Sequence, residues 1–169
     1  MIVQTPAIVL KSFPYGDTSL VARCFTHEMG KISIIARGAR RNKSPMGAYL
    51  QPMSYIELVF YHKTTRELQT ASRMSFLASF SGIMSDLKKI ALGLAAVELT
   101  DRTLRDQDSH PRLFDELVSV LKVLNERQDK LNLVFWYYQL KLLAELGFRP
   151  DNSRSYRSGR NPSSASNLS

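Results

Sequence analysis

"TSLVARCFTHEMGKISIIARGARRNKS", residues 18–44, holds the reading on which the fold turns. The stretch "TSLVARCFT" alternates, putting Leu20, Ala22 and Cys24 on one face and Val21, Arg23 and Phe25 on the other, which is the period of a strand. "HEMG" (27–30) is a tight connection, with Gly30 where a positive φ is needed. "KISIIAR" (31–37) runs back as the partner strand, its Ile32, Ile34 and Ala36 on a shared face. It then leads into charge. Lys31, Arg37, Arg40, Arg41 and Lys43 are five cations within residues 31–43, with no Asp or Glu among them. A solvated loop explains this run cheaply. A phosphate-binding surface explains it better, because clustered cations release counterions when they meet phosphates.

The flanking segments extend the pattern. "QTPAIVLKSF" (4–13) suits a strand, and "PYGD" (14–17) is a turn carrying Pro14 and Gly16. "SYIELVFYH" (54–62) and "RELQTASRM" (66–74) read as a fourth and a fifth strand, joined by the polar "KTT". Five short strands with no helix among the first four predict a small closed barrel of the OB type over residues 1–80. An SH3-like barrel or a small sandwich fits nearly as well, because strand order is not readable from the pattern.

From residue 76 the period becomes helical. "SDLKKIALGLAAVELTDRTL" (85–104) has apolar residues at three- and four-residue steps, with Ser85 or Asp86 as cap and Gly93 permitting close helix packing. "RLFDELVSVLKVLNER" (112–127) follows Pro111, which suits a first helical turn, and Asp115 and Glu116 are placed where the helix dipole favours acids. "KLNLVFWYYQLKLLAELGF" (130–148) is apolar most of the way round and reads as the central helix of a bundle, with "FWYY" in its core and Gly147 as its stop. The chain is therefore expected to be α+β: an OB barrel at 1–80, an all-α partial helical domain at 81–150, and a disordered Ser/Arg-rich tail at 151–169.

The net charge of +8 over 169 residues is unevenly spread. Residues 1–80 carry ten Lys/Arg against four Asp/Glu, residues 81–148 nine against ten, and residues 149–169 four against one. A polyanion partner for the N-terminal part, with a scaffolding middle, follows from that asymmetry. Cys24 is alone, so neither an internal disulfide nor a cysteine zinc site is expected. No signal peptide and no membrane-spanning run is recognisable, and the cytoplasm is the expected location.

Catalytic constellations are sparse. His27, His62 and His110 fall in turns, far apart in sequence, and no P-loop, dinucleotide-binding or nucleophile-elbow motif occurs. The expectation is a non-enzyme without metal or cofactor. Phe13, Tyr15, Phe25 and Tyr61 sit at strand ends and turns, able to stack on unpaired bases where exposed. At least two of the four are expected in the core.

With these segments placed, the order of motifs resembles the family of the bacterial recombination mediator RecO. The motifs are Ile8 to Leu10, Tyr15 to Asp17, Phe25 to Lys31, Ala36 to Arg40, and Leu50 to Met53, where Met53 replaces a family Phe. "HPRLFDELVSVLKVL" and "FWYYQLKLLAELGFRP" resemble its helical domain, so the likeness covers residues 1–150. The resemblance implies a DNA repair factor without catalytic activity that binds single- and double-stranded DNA through its barrel and anneals complementary strands. It further implies contacts with RecR and with the acidic C-terminal tail of single-stranded DNA-binding protein, and indirectly with RecA, whose loading it helps. The DNA-binding positions carried over are Lys31, Arg37, Arg40 and Arg41, with Lys43 adjacent. The family continues past its G-F-x-P element with cysteine pairs of a zinc site. This chain reads "DNSRSYRSGRNPSSASNLS" there, as a truncated or frame-shifted frame would, so the zinc site is not expected. A protein-interaction scaffold with little DNA affinity is the alternative.

Overall fold

The structure, a computed structural model, describes residues 1–148. Strands β1 (Ile2–Tyr15), β2 (Ser19–Thr26) and β3 (Gly30–Ala36) lead to a one-turn helix α1 (Met46–Tyr49). Strands β4 (Tyr55–Tyr61) and β5 (Leu68–Ala78) follow, then helices α2 (Ser81–Met84), α3 (Leu87–Thr103), α4 (Pro111–Glu126) and α5 (Leu131–Glu145). The five strands close into a barrel in the order β1-β2-β3-β5-β4. All pairs are antiparallel except β3–β5, which run parallel over Ser33–Ile35 and Leu68–Thr70. That order and the single parallel seam mark the OB barrel against the other small β folds.

Closure depends on β1 being long enough to serve two neighbours. Its first half pairs with β4 and its second half with β2, the two sets overlapping at Ala7 and Ile8. The register slips by one residue between Val9 and Lys11, just after this change of partner. Such a bulge bends and twists a strand, which a small barrel needs at its corners. It also sorts side chains. Ala7 and Val9 enter the barrel interior, while Ile8 and Leu10 join the apolar cluster beneath the helices.

The hairpin reading holds in detail. Ala22, Cys24, Ile32, Ile34 and Ala36 all lie in the barrel interior, and Phe25 faces the helices instead. There Phe25 meets Phe114 edge-on, ring centroids 5.4 Å apart, a contact worth ~1 kcal/mol beyond area burial. Burial pushes the Cys24 thiol up to about 12, so it is an apolar packing residue at neutral pH.

In the helical part, Asp86 caps α3 by accepting from the backbone N–H groups of Lys88 (2.9 Å) and Lys89 (3.2 Å). Pro111 starts α4, and Gly147 ends α5 with a φ of 90°. Gly93 is approached most tightly from the barrel, where a Cβ would clash with Met53 Sδ, while Leu124 of α4 stands at ordinary contact distance, 3.6 Å. Asp115 and Glu116 fall in the second turn of α4, beyond the reach of its N-terminal dipole. Their contacts are lateral: Asp115 lies 3.6 Å from His27 Nε2, and Glu116 accepts from the Tyr137 hydroxyl at 2.9 Å.

Helix α5 differs from its expected role. Only Leu131, Tyr138 and Leu142 are fully buried, against α3 and α4, with the Tyr138 hydroxyl bonded to Thr100 Oγ1. Leu133, Trp136, Leu140 and Leu143 form an outward stripe, each about half exposed or more. Within "FWYY" only Tyr138 is core, while Trp136 and Tyr137 are exposed. An apolar pattern around the whole circumference shows that a helix can be buried on all sides; among the described residues, partners stand on one side only. The expected disordered tail at 151–169 lies outside the described residues.

Candidate nucleic-acid interface

Gly30 sets the start of the basic strand. Its φ is +68°, and a Cβ would stand 2.1 Å from the Asp108 carbonyl oxygen, so both the turn and the close approach of the α3–α4 connection require glycine. Lys31 follows directly and is held by the end of α3 and the start of the same connection. Its ammonium donates to the Asp101 carbonyl at 2.5 Å and lies 3.6 Å and 3.5 Å from the Asp101 and Asp106 carboxylates. Its side chain is 5% exposed. Arg23 Nε approaches Asp101 Oδ1 to 3.2 Å, an ionic contact not aligned as a hydrogen bond. Lys31 is thus neutralised inside the seam between barrel and helices, and the structure does not bring it to the other four cations.

Those four lie beyond the end of β3, in the turns of residues 37–43. Arg37, Arg40, Arg41 and Lys43 are all exposed, and none forms an ion pair among the described residues. Their roles differ. Arg40 turns back on the protein: its backbone N–H donates to Thr18 O at 2.8 Å, its Nε to Ser19 O at 3.0 Å, and its guanidinium also reaches Gly16 O. It ties the basic loop to the β1–β2 turn and so fixes the position of neighbouring Tyr15. Arg41 lies across Gly38, its Cδ 3.4 Å from where a Cβ would be. Arg37, Arg41 and Lys43 keep their charge for solvent or a ligand.

The barrel register adds an order that the chain alone does not display. Phe13 pairs with Val21, Val21 with Ile35, Ile35 with Thr70, and Thr70 with Tyr61. Directly paired residues share a face. The neighbours Ala22, Ile34 and Phe60 occupy the barrel interior, so this row lies on the outward side of all five strands, with Val21 and Ile35 in its middle covered and buried. It ends in two exposed aromatics, Phe13 at 39% and Tyr61 at 46%. At ~4.8 Å between strands the row measures ~19 Å along the curved wall of the barrel. Of the four aromatics singled out, Phe25 alone is core; Tyr15 is also exposed, at 53%. Fewer are buried than the sequence suggested, because the helices cover only the Phe25 side.

A second basic element was missed by sequence reasoning: the β4–β5 connection, with Lys63 and Arg66 exposed. The buried Gln69 side chain shapes it, accepting from Lys63 N (2.8 Å) and donating to Lys63 O (2.9 Å) and Arg66 O (2.7 Å). The signal available was the pair of cations flanking "KTT" between two strands. Tyr15, Arg37 and Arg66 line a shared cleft of about 440 Å³ with Ile35, Glu67 and Thr70.

Other chemistry is thin on the surface described. His110 lies between Asp108 (3.2 Å) and Glu145 (3.1 Å), and His27 beside Glu28 (2.9 Å). Among the described residues no group of three His, Cys, Asp or Glu side chains is arranged to hold a metal ion, and no helix is long and apolar enough to cross a membrane.

Comparison with known proteins agrees with the fold. The family described as "Recombination protein O N terminal" matches residues 1–80, and "Recombination protein O C terminal" matches residues 84–167. The second match runs past residue 150, where the motif resemblance stops. The DNA repair protein RecO of Salinibacter ruber is 43% identical over 154 residues, covering 91% of this chain and 59% of that protein. The Bacillus subtilis protein of the same name is 32% identical over 151 residues, covering 89% and 58%. That of Chlorobium limicola is 31% identical over 165 residues, covering 98% and 63%. The chain spans about three-fifths of the length of these relatives. It belongs to the recombination protein O (RecO) family.

Proposed function

We propose that the chain binds DNA in recombinational repair, taking single strands across the outer face of its barrel. One observation carries the reading: Arg37 of the basic loop and Arg66 of the β4–β5 loop, in no ion pair among the described residues, line one cleft on the barrel with the exposed Tyr15. Cations on loops meet phosphates wherever the strand runs, and aromatic rings accept any base by stacking. Arg37, Arg41, Lys43 and Arg66 supply the charge, and Arg40 orders the loop. Neither duty needs a catalytic group, and annealing of complementary strands follows from holding single strands mainly by backbone and base face, which leaves most pairing edges free.

The family relationship extends the proposal to a recombination mediator in the cytoplasm, close to the nucleoid. It would bind double-stranded DNA as well, engage RecR and the C-terminal tail of single-stranded DNA-binding protein, and so help RecA load. The outward stripe of α5 keeps a second reading in play, a protein-interaction scaffold with little DNA affinity.

A titration of labelled single-stranded DNA across salt separates the two. For the DNA reading, log affinity falls linearly with log salt, with a slope of about −0.7 per phosphate engaged. Arg41→Ala/Lys43→Ala then flattens that slope by about 1.4, two contacts at that value. Absent or salt-independent binding at low salt refutes the reading and leaves the scaffold.

A further inference from the structure

Within the proposed DNA face, the cleft of about 440 Å³ holds one group that does not suit a phosphate. Glu67 lines it beside Arg37 and Arg66, yet forms no ion pair and no side-chain hydrogen bond with either among the described residues. A carboxylate repels a phosphate and accepts only from N–H or O–H donors. The Glu67 loop is not slack: Gln69 fixes the backbone at Lys63 and Arg66 through the three bonds already described. Tyr15 also lines the cleft, its neighbour Gly16 tied down by Arg40. The volume lies in the range of about 300–1,000 Å³ usual for small-ligand sites, sufficient for one nucleotide unit.

We propose that this cleft is a base-reading subsite for a single-stranded nucleic acid, with Glu67 the acceptor that selects bases bearing an exocyclic amine over thymine. The inference rests on the DNA-binding reading and adds selectivity to it. In this arrangement Tyr15 stacks on the base, and Arg37 and Arg66 hold the flanking phosphates. The Watson–Crick edge of the base turns to Glu67. Cytosine and adenine offer an amine there, and guanine offers two parallel N–H donors. Thymine offers one N–H flanked by two carbonyl oxygens, both of which repel a carboxylate. A general stacking surface is indifferent to this distinction; a carboxylate lining the cleft is not.

The experiment measures binding of the full chain to labelled oligo-dC and oligo-dT, ~15 nucleotides each, at one low salt concentration and neutral to mildly alkaline pH. Both are pyrimidine tracts, so stacking differs little between them. Expected is tighter binding of oligo-dC by about fivefold to tenfold, the low end of what a specific base contact supplies because the cleft is open. Glu67→Gln replaces the carboxylate by an amide that can both donate and accept, so the ratio falls to within about twofold and oligo-dT binds more tightly. Equal binding of the two tracts by the unaltered chain, or an unchanged ratio in Glu67→Gln, overturns the role given to Glu67. Failure of both tracts to bind overturns the DNA-binding reading beneath it.

Discussion

Replacing Lys31 by Met tests the division of labour among the five cations. The ammonium and the Asp101 carboxylate are both shielded, with side chains 5% and 12% exposed. Removing one member of such a pair strands the other, at a cost of about 3–5 kcal/mol. Two features favour the lower end. Arg23 still stands 3.2 Å from Asp101 Oδ1, and Met retains most of the packing of the lysine stem. The Asp106 carboxylate is 64% exposed and contributes little. The expected loss is about 3 kcal/mol, large against the ~5–15 kcal/mol of an ordinary domain yet compatible with a folded chain. In urea the midpoint should fall by about 1.5 M at an unchanged slope of about 2 kcal/mol/M. Adding Asp101→Asn should cost less than the two single changes together, because the stranded charge is gone. The salt slope of DNA binding should not move. A loss below about 1 kcal/mol would show the pair to be solvated, and a slope reduced by about 0.7 would return Lys31 to the phosphate contacts.

Two further outcomes follow from the same seam and from the barrel interior. Gly30→Ala forces a side chain into a left-handed backbone, about 1–2 kcal/mol, and against the Asp108 carbonyl. A loss near 3 kcal/mol in chemical denaturation is expected, and one under 1 kcal/mol would contradict the close approach. Raising pH should also destabilise the fold. Burial raises Cys24 from 9.0 to about 12 and raises Tyr138 above its ordinary 10.0, so the unfolded chain loses these protons first and binds fewer. Stability is therefore full below about pH 9 and declines from there toward the folded values. The fall in melting temperature between pH 9 and 10 should be shallower in Cys24→Ala; an identical slope would remove the thiol from the account.

The barrel was legible because its signals are local. Alternation in "TSLVARCFT" and "KISIIAR", a glycine between them and turn residues at 14–17 depend on neighbours one or two positions away. Lys31 was misplaced because its carboxylate partner is 70 residues distant, and no short-range pattern distinguishes a cation that will be paired from one left free. The Phe13–Tyr61 row was hidden for a related reason: it exists only once four strand pairings and the slip at Val9–Lys11 are specified. Helix α5 was overread, since apolar periodicity reports what a helix can bury and says nothing of how many partners arrive. Arg40 was counted with the phosphate ligands on charge and motif order; neither signal shows that its guanidinium also bonds to the Gly16 and Ser19 carbonyls across the fold.

The apolar cluster shared by barrel and helices bears on how the molecule can be divided. The two family matches meet between residues 80 and 84, which invites cutting there to obtain a stand-alone barrel. Yet Phe80 and Ile83 are both buried in that cluster, together with Ile8, Leu10, Phe25 and Met53 from the barrel side. A fragment ending at residue 80 would carry these barrel residues into water as a greasy plate, and would self-associate at the concentrations a binding assay uses. The boundary between the family matches is not a mechanical one: limited proteolysis should find no slack linker between Ala78 and Leu87, and barrel and helices should melt as one cooperative body.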